Sequence, residues 1–590
     1  MATLPTSSLT DVASDERVTA PDTQRQVEVA VGDLLDELAA DGRWRHTHHR
    51  SARPGVVNDC PQHLDPALLD RFGTAGLWRH QVEALNAVEN GSHVAIATGT
   101  GSGKSLCYQL PIAQSIQDSP DPTALLLYPT KALAHDQLRS LGSRDIPLLK
   151  LCTFDGDSDR DHRQWARRES NVIMTNPEML HYSLLPNHQR WHRFLRSLQF
   201  VVIDELHTYR GVFGSHLAHV LRRLRRLCAF HGSSPTFIFT SATIGQPAEL
   251  ASGLSGLPVV AVTEDAAPTS ARTVALWDPE GSPAQDVGEL VRSFVDRDQR
   301  TIAFCASRAG TEQVALHARA GTDRPIRAYR AGYLTNERRL IEQQLAEGEL
   351  MGVIATSALE LGVDIGGLDV AILNGFPGAI ASFWQQIGRV GRGQGASTSI
   401  LVAGNDQLDQ WFMAHPDELF TRPPEPPVIN PSNPFVLRPH LACAAHELPL
   451  RPQDEEFWPD DLDDAVRDLV RADLVTIRNR RAVWNAPSSP ASEISLRSGG
   501  ACEVAIVDAG GARIGSVSGD RATSQVHPGA IYTHQGVPWR VSRLELDQHR
   551  AVVEPADGTE RTAPRTTTDL AVLETYAATK SNGFDQYLGF

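Results

Sequence analysis

Between residues 75 and 405, short apolar runs alternate with stretches of helical pattern. The runs fall at 93–97, 125–129, 172–175, 200–204, 237–240, 301–305, 351–355, 370–374 and 399–403. Strands apolar on both faces and separated by helices belong to parallel sheets covered on both sides. Nine such strands are too many for one small domain, so the expectation is two α/β sheets. The break is expected near 260–285, where Pro, Ala, Asp and Thr crowd together. A second break is T-R-P-P-E-P-P at 421–427, a stiff proline segment. Residues 440–486 read as helical and end in a hairpin, L-V-T-I-R-N-R-R-A-V-W, which suggests a winged-helix-like module. From 502 to 574, short alternating strands and Gly turns predict a small β domain.

The bulk numbers agree with a multidomain chain. At 590 residues the sequence is too long for one core. Apolar content of 41% and charged content of 21% describe a soluble globular protein. No long apolar run is present, so no membrane span is expected. The Thr-, Ser-, Asp- and Pro-rich start reads as a disordered leader and not as a signal peptide. The seven cysteines are scattered without a C-x-x-C, which argues for reduced thiols and a cytoplasmic setting. The net charge of −16 argues against nucleic acid when taken alone. An acidic exterior can coexist with a basic groove, however. The arginine-rich stretch at 215–228 carries an apolar stripe of Leu217, Val220, Leu221, Leu224 and Leu227. Its Arg222, Arg223, Arg225 and Arg226 are therefore expected mostly to face water. H-T-H-H-R at 46–50 has no second ligand cluster and is not expected to bind metal. The arginines at 478–481 suit a DNA-touching wing and a solvated turn equally.

A-T-G-T-G-S-G-K-S at 97–105 lies between an apolar run and a helical stretch, as a phosphate-holding loop does. Thr98 stands where the strict pattern has glycine, but Gly99, Gly101 and Gly103 still let the backbone approach phosphate. Thr98, Gly99, Thr100, Gly101, Ser102 and Gly103 are expected to form the cradle, Lys104 to meet the β- and γ-phosphates, and Ser105 to hold Mg²⁺. F-V-V-I-D-E-L-H at 200–207 ends a buried strand on two carboxylates. Asp204 is expected in the Mg²⁺ shell and Glu205 on the attacking water. His207, two residues on, is placed to face the phosphates and link them to the second sheet. Q-Q-I-G-R-V-G-R at 385–392 sets Arg389 and Arg392 three apart, on one helical face, as charge-stabilising groups for phosphate transfer. T-S-A-L-E-L-G-V-D-I at 356–365 offers Asp364 for a ribose or cleft contact. Two sheets closing on one ATP and reopening after hydrolysis make a motor.

The ordered motifs resemble a superfamily 2 DExH helicase core spanning 78–392. R-H-Q at 79–81 resembles the adenine-reading motif, with Gln81 as reader and Trp78 as stacking partner. P-T-K-A-L-A at 129–134, F-D-G-D at 154–157 and T-N-P-E-M-L at 175–180 resemble the strand-tracking motifs, and F-C-A-S-R at 304–308 resembles motif IV of the same core. Thr130, Lys131, Thr175, Asn176, Ser307 and Arg308 are then the nucleic-acid contacts, through phosphates and not bases. S-A-T at 241–243 completes the set. V-I-D-E-L-H-T-Y-R-G-V-F-G-S-H, N-P-S-N-P-F-V-L-R-P-H-L-A-C-A-A-H-E-L-P-L and H-P-G-A-I-Y-T-H-Q-G narrow the resemblance to the SftH/MrfA (YprA-type) bacterial DNA helicases, related to fungal RecQ4-like enzymes. That resemblance implies an ATP-dependent 3′→5′ DNA translocase and helicase linked to DNA repair, and the chain is expected to be a cytoplasmic, nucleoid-associated monomer acting on single-stranded or tailed duplex DNA. It implies an α/β fold: two tandem RecA-like parallel-sheet domains, a winged-helix-like module and a small β domain. The expected limits are 1–60 for the leader, 61–265 and 266–425 for the RecA-like domains, 430–500, 501–575 and a 576–590 tail. The family continues into a four-cysteine zinc module, but no cysteine follows Cys502. ATP and Mg²⁺ are the expected cofactors, and zinc is not. Two rival readings stay open: an RNA helicase, and a shortened ATPase that binds nucleic acid without unwinding it.

Overall fold

The computed structural model describes residues 33–74, 76–119, 121–360, 367–391, 397–459, 461–497, 503–557, 560, 562, 575–581 and 584–589. Asp364, Arg392, Cys502 and most of the expected leader lie outside these residues.

Two seven-stranded sheets carry the first unit. In the first, the spatial order is Val259–Val262, His93–Ala97, Thr236–Ser241, Leu198–Ile203, Thr123–Leu127, Val172–Thr175 and Leu151–Thr153. Every pairing in it is parallel. The second runs Trp44–Arg50, Arg272–Trp277, Ser397–Val402, Val370–Asn374, Thr301–Cys305, Gly352–Ala355 and Ile326–Tyr329. It too is parallel, except for its antiparallel first strand. The central strands are buried on both faces because helices cover both sides. These are the two RecA-like domains.

Two local differences from the sequence reading stand out. The span 260–285 is not an empty break, because it contains most of Val259–Val262 of one sheet and all of Arg272–Trp277 of the other. Within the expected leader, Trp44–Arg50 forms the edge strand of the second sheet. Its His46 and His48 rings stack on Phe420, the latter at 4.0 Å.

The winged-helix module contains helices Pro434–Glu447 and Leu462–Arg471 and the hairpin Val475–Arg478/Arg481–Trp484. Leu437, Leu441, Trp458, Leu469 and Ala482 fill its core. The turn residues Asn479 and Arg480 both take positive φ, as a two-residue hairpin turn requires. The preceding proline segment ties both sheets. Gly211 N–H of the first domain donates to Val428 O at 2.7 Å. Ile380 N–H of the second donates to both oxygens of Glu425 at 2.9 Å.

The second unit comprises Gly332–Thr335 and residues from 500 onward. Its five strands run in the order Arg513–Ser518, Glu503–Asp508, Arg550–Pro555, Val537–Glu545 and Ile531–His534 around Val504, Ile506, Val541 and Val553. Within the expected tail, Thr575–Ser581 and Phe584–Gly589 pair as an antiparallel hairpin.

Candidate active site

Three neighbouring strands of the first sheet end on the site. His93–Ala97 leads into the glycine loop, Leu198–Ile203 into Asp204, and Thr236–Ser241 ends at Ser241. The carboxyl ends of parallel strands collect ligands because loops splay apart there above helix N-termini. The helix after the loop is Leu106–Asp118, with Ser105 as its N-cap residue. Gly101 and Gly103 take φ of 77° and 79°, which a side chain would strain. Gly99 is needed for another reason. Its N–H donates to Asp265 Oδ2 at 2.9 Å, and a Cβ there would meet that oxygen at 2.6 Å.

Lys104 folds over the loop. Its Nζ donates to Thr98 O at 3.1 Å and Gly99 O at 2.7 Å. Burial lowers its pKa, and the charges of Glu205 and Asp204 oppose that shift. Thr98 and Ser102 share a hydroxyl contact of 2.7 Å that braces the loop. Gln81 Nε2 donates to Gly103 O at 3.0 Å, and Gln81 Oε1 accepts from Trp78 N–H at 2.8 Å. The motif read as adenine-recognising thus also buttresses the phosphate loop. Trp78 packs against Gly55, where an added Cβ would lie 2.4 Å from its ring.

Asp204 accepts from the Thr240 hydroxyl and from Glu205 N–H, the latter at 2.8 Å. Burial and then the Glu205 charge push its carboxyl up to about 7. Such a carboxylate gains from a cation, which would restore its ionised form. Glu205 sits in the left-handed region, φ 54°. That turn brings His207 Nδ1 to 3.4 Å from Glu205 Oε2 and 3.3 Å from the Ser241 hydroxyl. Burial first, then Lys104, Arg210 and Arg389, lower His207 to about 3, so it is neutral. Its Nε2 is buried without a partner. The backbone donors, Lys104, the ionisable Asp204 and this orphaned nitrogen fit a Mg²⁺-bound nucleoside triphosphate. Ser105 and Asp204 would hold the ion.

The second sheet reaches the same place. The Thr100 hydroxyl donates to Gly388 O at 3.3 Å, and Gly388 has no room for a Cβ because Thr100 Oγ1 would lie 2.5 Å away. The helix expected to carry both arginines is Ile380–Ile387, so Arg389 lies in the turn beyond it and not on a helical face. Arg389 is buried and donates to Glu360 O, while Gln386 Nε2 donates to Glu360 Oε2 at 3.0 Å. A cleft of about 940 Å³ opens alongside, lined by His207, Arg210, Glu360, Gln385 and Gln386.

The expected track residues are distributed unevenly. Thr130, Asn176 and Ser307 are the N-caps of helices beginning at Lys131, Pro177 and Arg308, and their side-chain oxygens accept from Leu133, Met179 and Gly310 N–H. Lys131 pairs with Asp157 at 3.0 Å. Thr175 is buried, and its hydroxyl donates inward to Phe154 O at 2.5 Å.

The arginine face of helix Gly211–His231 overturns its expectation. Arg223 and Arg226 are buried. Arg223 pairs with Glu447 and donates to His181 Nδ1 at 2.8 Å and His440 Nδ1 at 3.2 Å. Arg226 reaches Asp454 at 2.9 Å and the carbonyls of Ala444, Leu448 and Pro449. The face is a junction with the winged-helix module. One signal was in the sequence: the helix contains no acid of its own to pair with four arginines.

Comparisons with known proteins fit this geometry. The family described as "DEAD/DEAH box helicase" matches residues 78–251, "Helicase conserved C-terminal domain" matches 282–394, and "ATP-dependent helicase HRQ1, winged helix domain" matches 429–499. The chain is 40% identical over 567 residues to a Bacillus subtilis protein described as the uncharacterized ATP-dependent helicase YprA, over 92% of this chain and 75% of that one. It is 35% identical over 546 residues to the ATP-dependent helicase HRQ1 of Saccharomyces cerevisiae, over 86% of this chain and 50% of that protein. The crystal structure of the DUF1998 helicase MrfA bound to DNA matches at a TM-score of 0.86 and 39% identity, over 95% of this chain and 78% of that chain. The chain therefore belongs to the superfamily 2 ATP-dependent helicases of the MrfA/YprA type.

Proposed function

We propose that this chain couples ATP hydrolysis to movement along single-stranded DNA and to opening of the duplex ahead. The observation that carries the reading is the Thr100–Gly388 contact at 3.3 Å, because it sets the arginine-bearing turn of one sheet over the phosphate loop of the other. Magnesium-bound ATP would supply the phosphoryl group and much of the positive charge that neutralises it. Lys104 would bind phosphate oxygens, Ser105 and Asp204 would hold the ion, and Glu205 would hold the attacking water and take its proton. Arg389 meets charge developing on the transferred group, a role proposed for Arg392 as well. His207, neutral and tied to Ser241, passes the state of the cleft between the sheets. Gln81 and Trp78 hold the base, and Asp364 the ribose.

Thr130, Lys131, Asn176, Ser307 and Arg308 grip the strand's phosphates, with Thr175 bracing the loop from inside. DNA as the track is supported by the MrfA complex with DNA. The reading also takes the chain as a cytoplasmic, nucleoid-associated monomer, moving 3′→5′ in repair. Its domain limits are 61–265, 266–425, 430–500 and 501–575, with 44–50 lent to the second sheet. The test compares ATPase stimulation by matched DNA and RNA strands, then unwinding of duplexes with 3′ or 5′ tails, for the wild-type chain and Lys104→Ala. Stimulation by DNA and unwinding from the 3′ tail, both lost in Lys104→Ala, are expected. Preference for RNA, or strand separation equal in both proteins, would refute the reading.

A further inference from the structure

The winged-helix segment ends against the first RecA-like domain. Ala491, Ile494 and Leu496 belong to the same buried cluster as Leu184, Leu217 and Leu221. His181 Nε2–H donates to Ala491 O at 3.0 Å, and the Tyr182 hydroxyl donates to Ile494 O at 2.6 Å. These contacts fix the chain just before Arg497.

Arg497 then spans two loops. Its Nη2 donates to Pro129 O at 2.6 Å, and its Nε pairs with Glu178. Pro129 immediately precedes Thr130 and Lys131, and Glu178 follows Asn176 by two residues. Those loops leave adjacent parallel strands, Thr123–Leu127 and Val172–Thr175. The guanidinium also lies 4.4 Å from the Phe213 ring centroid, and Phe213 lies 5.3 Å from Tyr209. Tyr209 is fully buried, its hydroxyl lacks a partner, and it stands five residues after Asp204. One side chain thus ties both first-domain track loops to the segment that follows the nucleotide carboxylates.

We propose that Arg497 is a positioning residue for the nucleic-acid track. It fixes the spacing of the Thr130–Lys131 and Asn176 loops so that successive phosphates meet both. The inference rests on the functional reading above, because it needs those loops to hold the strand. An arginine suits the role because its planar fork donates along two edges at once while its face stacks on a ring. A lysine is a point charge and cannot bridge the carbonyl and the carboxylate in the same way.

The test is an ATPase titration of the full chain with a single-stranded oligodeoxythymidine, for wild type, Arg497→Ala, Arg497→Lys and Glu178→Gln, with melting temperatures alongside. In Arg497→Ala the half-saturating oligonucleotide concentration should rise about tenfold, the scale of one lost charge-assisted contact, with kcat at saturation kept. Arg497→Lys should not restore it, and Glu178→Gln should shift it in the same direction. An unchanged half-saturation in Arg497→Ala, full rescue by lysine, or kcat and melting temperature falling in step with binding would overturn the proposal. A wild-type chain that no oligonucleotide stimulates would instead refute the functional reading itself.

Discussion

Glu205 carries two tasks in one position. Its left-handed backbone, φ 54°, turns the chain so that Asp204 and His207 face the same crevice, and its carboxylate stands beside them. Glu205→Gln keeps the shape and removes the proposed base. Expected is a fall in kcat of about 10²–10⁴, the worth of general-base catalysis, with nucleotide affinity retained. Steady-state ATPase and equilibrium nucleotide binding check this, and a near-wild-type kcat would contradict it. Glu447 tests burial in place of chemistry. It is the acid paired with Arg223, and both side chains are inaccessible to water. Glu447→Ala strands that cation and should cost about 3–5 kcal/mol in chemical denaturation. A loss below ~1 kcal/mol would mean that Arg223 finds another partner. The residues around the phosphate loop were legible because the chemistry demands those types in that order within a few positions. Asp265, Arg223 and Glu447 were not, because their partners lie 166 and 224 residues away.

At the scale of elements, the junction between helices Gly211–His231 and Pro434–Glu447 is built on neutral histidines. Arg223 can only donate, so His181 and His440 accept at Nδ1 and carry their proton on Nε2. Trp458 Nε1–H donates to His219 Nδ1 at 3.1 Å, and His219 Nε2–H donates to Pro431 O at 2.8 Å. Burial, then positive or imidazole neighbours, lower His181 to about 2, His219 to about 3 and His440 well below the ordinary value. As pH falls below about 6.5, the unfolded chain takes up these protons and the folded chain does not. Stability is therefore full above about pH 6.5 and drains toward about pH 3, at ~1.4 kcal/mol per pH unit for each histidine. The melting temperature should drop steadily as pH falls from about 6.5 to 5, before most carboxylates titrate. A flat profile across that window would contradict the assignment.

Strands show the same division between local and distant causes. Central strands such as Val172–Thr175 and Thr301–Cys305 announced themselves by continuous apolar runs, since helices cover both their faces. Trp44–Arg50 and Val259–Val262 did not. Each is an edge strand with exposed positions, so no buried pattern marks it. Leu151–Thr153 is too short to show a period.

For the whole molecule, the first unit reads as a machine because two sheets share one crevice. The Thr100–Gly388 contact closes it on one side, and the proline segment spans it through Val428 and Glu425. The two-sheet architecture was legible from alternation, and the phosphate motifs called for both sheets to meet on one nucleotide, but the particular Thr100–Gly388 contact was not, since no local pattern encodes a contact across 288 residues. The proposed motor holds one triphosphate by Lys104 and Asp204 from one sheet and by Arg389 from the other. The most direct measurement compares ATP hydrolysis with binding of a non-hydrolysable ATP analogue in Lys104→Ala and Arg389→Ala, at saturating single-stranded DNA. Arg389→Ala should keep analogue affinity within a few-fold but lose turnover by about 10³-fold or more, as removal of a transition-state arginine does, whereas Lys104→Ala should lose both. Hydrolysis by Arg389→Ala at the wild-type rate would contradict it.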